Sequence, residues 1–247
     1  MICNDVNLFL ILAAVIPALW LIRHYVKHDV YPEPRGLIIK TVLMGIVIVV
    51  PIVILELLLD VGYYMQGGDD APHILTAFFQ AFVIAGFTEE FFKYLVLKKY
   101  CSVKSDFDEP MDGIVYAVLV SLGFALLENI MYVMGAAGEA GPDGIAAGIG
   151  TAVLRAFTAV PAHASFGVIM GFYFSNQHFG NGKKGFFPTA LLLPILWHGA
   201  YNFLLLAEHP ITMLAFIPFL IYLFKTAKRL HRKRMHEQLS TVVANFK

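Results

Sequence analysis

The apolar positions of this chain fall into long runs, not into amphipathic stripes. Runs of roughly 18 to 25 apolar residues are long enough to cross a bilayer as helices. Seven are present, at roughly 6–23, 37–60, 73–97, 112–134, 148–175, 186–207 and 210–226. The pattern predicts an all-α polytopic membrane protein, a bundle of about seven transmembrane helices. Pro17, Pro51, Pro161 and Pro194 fall inside these runs. A proline there kinks the helix and frees a carbonyl that a neighbour or a water must satisfy. The first run has no basic stretch before it and no A-x-A site before Arg23. It reads as a retained anchor, not a removed signal peptide. No repeat, low-complexity tract or soluble domain interrupts the spans. Residues 1–247 therefore read as one integral-membrane domain, with a basic tail over about 227–247.

Composition agrees. Of 247 residues, 58% are hydrophobic and only 15% charged, where a soluble domain carries about a quarter charged residues. Mean hydropathy is +0.70. The formal net charge is zero, so nothing electrostatic supports a nucleic-acid partner.

The connections set an orientation. Arg23, Lys27, Arg35 and Lys40 surround the first, Lys98, Lys99 and Lys104 the third, Lys183 and Lys184 the fifth, and the tail carries KTAKRLHRKR. The intervening connections, VGYYMQGGDDAP and GAAGEAGPDGIAAG, hold acids and no Lys or Arg. The alternation predicts an outside N-terminus and a cytoplasmic C-terminus. Cys3 and Cys101 then lie on opposite sides of the membrane and cannot pair within one chain. Trp20, Tyr63, Tyr64 and Phe186 suit interfacial belts, and the basic tail suits contact with anionic membrane lipid.

Against this background the polar residues inside spans stand out. Glu89 and Glu90 are adjacent in GFTEEFFKYLVLKKY, deep in the third span, with Lys93 one turn from Glu89. Ionised carboxylates are costly in lipid and are seldom left there without a use. Adjacent like charges oppose joint ionisation and push one pKa up, which suits acid/base work. The fourth span carries Glu128, Asn129 and, one turn on, Tyr132. The fifth carries Arg155 and His163, two turns apart and roughly aligned; the sixth carries His198 and Asn202 one turn apart. Such groups must face one another or a water-filled cavity, which puts a site between the third and sixth spans. By residue count the two histidines lie near mid-bilayer, the Glu pair about a turn below and Glu128 about a turn above.

Three carboxylates and two imidazoles permit two chemistries. A carboxylate can activate water while imidazoles donate hydrogen bonds. Glu and His can also ligate zinc. The same groups could instead relay protons or cations in a transporter, although no inverted repeat is visible. Each residue has a structural alternative: Glu89 paired with Lys93, Glu128 bonded to Asn129 or Tyr132, and His198 with Asn202 as an interhelical hydrogen bond. Lys93 and Arg155 suit support of the site better than catalysis. Asp108, Glu109 and Asp112, at a membrane edge, suit solvated or helix-capping roles. His24, His28, His178, His209, His231 and His236 suggest no function.

The ordered elements EEFFK, DGIVYAVLVSLGFALLENIMY, His163 followed by GVIMGFYF, and HGAYN resemble the motifs of the PrsW family of intramembrane proteases. EPRG after the first span fits as well. The resemblance covers roughly residues 30 to 205 and is carried by the EE-x-x-K and EN-x-x-Y elements in separate spans. It implies a bacterial multi-pass protein of the cell membrane that cuts single-span, membrane-anchored substrates. It also implies a role in the first cut of an anti-sigma factor in envelope-stress signalling. The family is similar to the CAAX prenyl protease superfamily. By this likeness Glu89, Glu90 and His198 match the family's catalytic positions, and Glu128, Asn129 and His163 its other polar positions. The sequence lacks H-E-x-x-H, and a Glu pair raises a pKa naturally. The reading therefore favours a glutamic-type mechanism without a cofactor. A zinc site built from His163, His198 and Glu128 on separate spans stays open.

Overall fold

A computed structural model describes residues 2–180 and 189–245, and the side chains of 6–180 and 189–240. Lys183, Lys184, Phe186 and the Cys3 side chain lie outside the described residues. The described residues form helices and turns: α1 (Ile2–Lys27), α2 (Arg35–Val47), α3 (Val49–Met65), α4 (His73–Phe78), α5 (Thr88–Val96), α6 (Pro110–Glu139), α7 (Gly144–Phe157), α8 (Ala159–His178), α9 (Thr189–Leu206) and α10 (Pro210–Asn245). Seven helical stretches are long and apolar enough to span a membrane: 6–27, 35–65, 73–101, 110–139, 141–178, 189–206 and 210–240. The protein is an all-α multi-pass membrane protein.

Two spans are broken where proline requires it. A proline at position i clashes with the carbonyl of residue i−4. Pro51 thus separates α2 from α3 at Ile48, and Pro161 separates α7 from α8 at Thr158. In the third span the turns widen to π-helix over Phe79–Phe87 and again over Leu97–Cys101. Such wide turns are frequent at functional sites. The first ends at Phe87, with only Thr88 between it and the Glu pair.

The central helix is α6, buried on all sides from Met111 to Leu126. It packs on α8, α2, α1 and α7. Its contact with α8 is close because both helices present glycine. A Cβ on Gly171 would collide with the backbone of Gly113. Small residues that let backbones approach are the usual means of helix association in lipid, where the hydrophobic effect offers little.

The last helix runs on through the basic tail. Leu223, Ala227, Leu230, His231, Arg234 and Gln238 form its buried face. Arg234 donates to the Phe172 carbonyl and to Asn176 Oδ1, 2.7 Å away. The tail is thus docked on the bundle, while Lys228, Arg229, Arg232 and Lys233 face outward. His231 is not a surface residue: its ring meets the Tyr25 ring edge-on, centroids 5.1 Å apart.

Of the three acids at the start of α6, Asp108 is exposed but Asp112 is buried. Asp112 Oδ2 accepts the backbone N–H groups of Asp108 and Glu109, both at 2.8 Å, which closes a capping box. The capping expectation therefore holds, and the solvated one holds only for Asp108. Desolvation pushes the Glu109 carboxyl up to about 7 and raises Asp29 and Glu33 above the ordinary carboxylate range.

Candidate active site

Four side chains from three spans converge inside the bundle. Glu89 and Glu90 come from the first turn of α5, His163 from α8 and His198 from α9. One ligand-type atom from each lies within 4.8 Å of the others, and all four residues are buried. The register follows from close packing of the third span on α9. A Cβ on Gly86 would come 3.1 Å from the Gly199 nitrogen and the Ile195 oxygen. Only small residues permit this approach, and Gly199 is the neighbour of His198.

Lys93 lies at the centre of the cluster and is fully buried. Its Nζ donates to Glu89 Oε2 at 2.9 Å and Glu90 Oε1 at 2.8 Å. It also lies 3.3 Å from His163 Nδ1 and 4.2 Å from the centroid of the Phe124 ring. Because an ammonium has no lone pair, His163 Nδ1 must be the acceptor, and the ring proton sits on Nε2. That Nε2–H points to Glu128 Oε2, 2.9 Å away. The same carboxylate oxygen accepts from Arg155 Nη2 at 2.7 Å. Arg155 Nε donates to Asn129 Oδ1 at 2.5 Å, and Asn129 Nδ2 donates to the Ala14 carbonyl at 2.8 Å. The chain α1–Asn129–Arg155–Glu128–His163 fixes both the orientation and the tautomer of His163.

His198 completes the group from the other side. Its Nδ1 lies 2.9 Å from Glu90 Oε1 and 3.8 Å from Glu89 Oε2. Its ring stacks on Phe166 with centroids 4.8 Å apart. The two glutamates differ in exposure. Glu89 lines a cavity of about 840 Å³, whereas Glu90 lies behind it, 0% exposed, and its Oε2 has no hydrogen-bond partner. His163, His198, Glu128, Arg155 and Asn202 also line the cavity. It runs toward the end of the bundle where the N-terminus lies, between α3, the third span, α6, α7 and α9. Tyr132 stands at its side, half exposed, with its ring 4.0 Å from the Arg155 guanidinium carbon.

The structure brings Glu89, Glu90, Lys93, His163 and His198 into contact and puts Glu128, Asn129 and Arg155 directly behind them. Glu128 differs from expectation in one respect: it is not among the converging ligand-type atoms, because its Oε2 is taken up by Arg155 and by the far side of the His163 ring. Asn202 lines the cavity without reaching the cluster. Glu56 was missed. It sits on α3, lines the cavity and accepts the Thr88 hydroxyl at 3.1 Å. Asp60, one turn further on, accepts from Gln80 Nε2 at 2.5 Å. The rule that marks ionisable residues inside spans marks both of these as well.

The donor set suits a metal ion. Two imidazoles and two carboxylates within one small volume are ordinary zinc ligands. A carboxylate on the remote nitrogen of a histidine is the usual outer support of a metal-bound imidazole, and Glu128 occupies that position on His163. The unpartnered Glu90 Oε2 offers a further lone pair. In the structure described here Lys93 supplies the balancing positive charge.

A seven-span helical protein with Glu and His side chains buried at the foot of a cavity belongs, as a class, with enzymes that act inside the bilayer. Residues 33–226 match the PrsW-protease family, described as PrsW family intramembrane metalloprotease. Protease PrsW of Geobacillus kaustophilus is 38% identical over 201 residues, covering 81% of this chain and 80% of the relative. Protease PrsW of Bacillus subtilis is 34% identical over 218 residues, 87% and 90% of the two chains. Protease PrsW of Clostridioides difficile is 33% identical over 223 residues, 89% and 88%. No solved structure matches. The chain belongs to the PrsW family of intramembrane proteases, which act on membrane-protein substrates.

Proposed function

We infer that the whole chain is one protease domain and that its hydrolytic centre is the Glu89–Glu90–His163–His198 cluster. The observation that supports this is their convergence at the foot of the cavity between spans. The cavity, with Glu56, Asp60, Gln80 and Arg155 among its lining residues, gives water a route to a site otherwise walled by apolar helices. Glu89, the cavity-facing carboxylate, takes the proton from the attacking water. Glu90, His163 and His198 would hold a zinc ion, three protein ligands being the usual number in a catalytic zinc site. When bound, the ion supplies a water of lowered pKa and polarises the scissile carbonyl. Lys93 neutralises the glutamates, and Glu128 and Arg155 orient His163. The sequence favoured a metal-free centre; the Glu128 support behind His163 tips the balance toward a metal.

The substrate is a single-span membrane protein, cut near the end of its span that meets the cavity. From the family resemblance it is anti-sigma-factor-like, and the cut is the first in envelope-stress signalling. The protein sits in the bacterial cell membrane. One assay tests the hydrolytic reading and the metal together. Purified protein in liposomes is expected to cleave a single-span anti-sigma-factor substrate, to contain about one zinc per chain, and to lose zinc and cleavage together on strong chelation. Cleavage that survives complete chelation would restore the glutamic-type mechanism. Cation or proton flux without cleavage would establish the transporter instead.

The orientation proposed is N-terminus outside and C-terminus cytoplasmic, supported by the alternation of Lys and Arg among the connections. A reporter active only outside the cytoplasm, fused after Lys247, is expected to be silent. A signal from it would invert the topology.

A further inference from the structure

A second group of acids lies at the opposite end of the bundle. Asp29 and Glu33 sit in the α1–α2 connection and Asp112 in the first turn of α6. One carboxylate oxygen from each lies within 4.8 Å of the other two. Asp112 and Phe124 are both on α6, and the Phe124 ring packs on Lys93 and His163, so at 1.5 Å per residue this group is about 18 Å from the active-site cluster. It is not part of that site.

The three residues are 6%, 8% and 1% exposed respectively. None of them forms an ion pair with Lys or Arg among the described residues. Each has one oxygen satisfied by neutral donors. Asp29 Oδ1 accepts from the Tyr31 backbone N–H at 3.2 Å and from Gln238 Nε2 at 2.8 Å. Asp112 Oδ2 accepts two backbone N–H groups, and Glu33 Oε2 accepts the Tyr116 hydroxyl. The other oxygens of the two aspartates, Asp29 Oδ2 and Asp112 Oδ1, are buried and have no partner. The bare oxygens thus belong to the two aspartates, and the Asp112 and Glu33 carboxyls lie within hydrogen-bond reach of one another.

Buried carboxylates without a counter-charge are unstable, because desolvation is costly and like charges add to it. Unpartnered buried oxygens in an otherwise well-satisfied structure also require an explanation, and an absent ion is one. The available donors are oxygens only. That selects a hard divalent cation of the magnesium, calcium or manganese type and disfavours zinc.

We propose that Asp29, Glu33 and Asp112 form a structural site for a hard divalent cation. The ion joins the α1–α2 connection to the start of α6. Through Gln238, which donates to Asp29 and also to Glu109, it fixes the docked end of α10 as well. Its function is to hold these three segments together.

The test uses tag-free, full-length protein with Mn²⁺ alone as the probe, followed by pulsed electron paramagnetic resonance. The wild type is expected to bind one Mn²⁺ whose spectrum lacks imidazole-nitrogen modulation, and excess Ca²⁺ or Mg²⁺ should displace it. Glu33→Gln is expected to weaken this binding by about tenfold or more, since affinity follows ligand charge. Asp29→Asn serves as a second variant if Glu33→Gln does not fold. The wild-type spectrum decides on its own if neither does. Folded wild type without bound Mn²⁺ would mean that shared protons neutralise the acids, and would overturn the site. So would Mn²⁺ showing only nitrogen-coupled signals, which belongs to the histidine cluster, or unchanged oxygen-only binding in a folded variant.

Discussion

Glu89→Gln is expected to lower the cleavage rate by about 10² to 10⁴-fold, the usual effect of losing a general base, while protein abundance stays near wild type. The amide keeps the shape of the side chain but cannot accept the proton of the attacking water. Lys93 retains Glu90 as its partner at 2.8 Å, so one ion pair survives. Glu90→Gln and His198→Ala are expected to abolish cleavage to a similar degree by a different route. Both remove groups proposed to hold the metal, so their zinc content should fall with their activity. Glu89→Gln should keep its zinc. Rate and metal content measured on the same preparations separate the two roles. Wild-type cleavage by both Glu89→Gln and Glu90→Gln would remove the cluster from the chemistry. Loss of zinc in Glu89→Gln would make Glu89 a ligand instead of the base.

The spans were legible because run length alone carries the signal in a bilayer. Each of the seven apolar runs corresponds to a helical span, and the boundaries shift where helices continue past the apolar core, most of all at the last, which runs to 240 and not 226. The breaks at Ile48 and Thr158 follow from Pro51 and Pro161, four positions or fewer beyond them. The π-helical turns were not legible. They arise from a choice of backbone hydrogen-bond partner, and FQAFVIAGF carries no residue that demands it. Single-residue polarity pointed to Glu89, Glu90, His163 and His198 and to Lys93, Glu128, Asn129 and Arg155, and helical spacing to the Glu89–Lys93 pair, but not to the pairings between spans. Arg155 and Glu128 are on different spans, and only the tertiary fold brings Nη2 within 2.7 Å of Oε2. Glu56 and Asp60 carried the same signal in the second span and were legible by the same rule. The docked tail was hidden by composition. Its buried positions recur every three to four residues, but the intervening Lys and Arg make the segment look like a surface stretch. The capping role of Asp112 was legible at the edge of its span, but its burial was not, because sequence depth does not reveal that the α1–α2 connection packs against it.

Lys93→Met is expected to destabilise the metal-free protein by about 3–5 kcal/mol, the usual cost of removing one partner from a buried charge network. Methionine matches the stem of lysine in length and removes only the ammonium. That leaves Glu89 and Glu90 as two buried carboxylates, which Lys93 had bridged at 2.9 and 2.8 Å. His163 Nδ1 also loses its donor. The same substitution frees the lone pairs that a metal needs, because ammonium and metal compete for the same atoms. Lys93→Met is therefore expected to bind zinc more tightly than wild type does and to depend on it for stability. A ligand at one hundred times its dissociation constant stabilises the folded state by about 2.7 kcal/mol, enough to recover most of the loss. Thermal unfolding with chelator and with zinc measures both parts. The expected result is a strongly lowered midpoint in chelator and a much larger zinc-induced rise than in wild type. A chelated Lys93→Met variant as stable as wild type would show that the carboxylates do not rely on the ammonium. A low midpoint that zinc leaves unchanged would show that the freed cluster does not hold the metal.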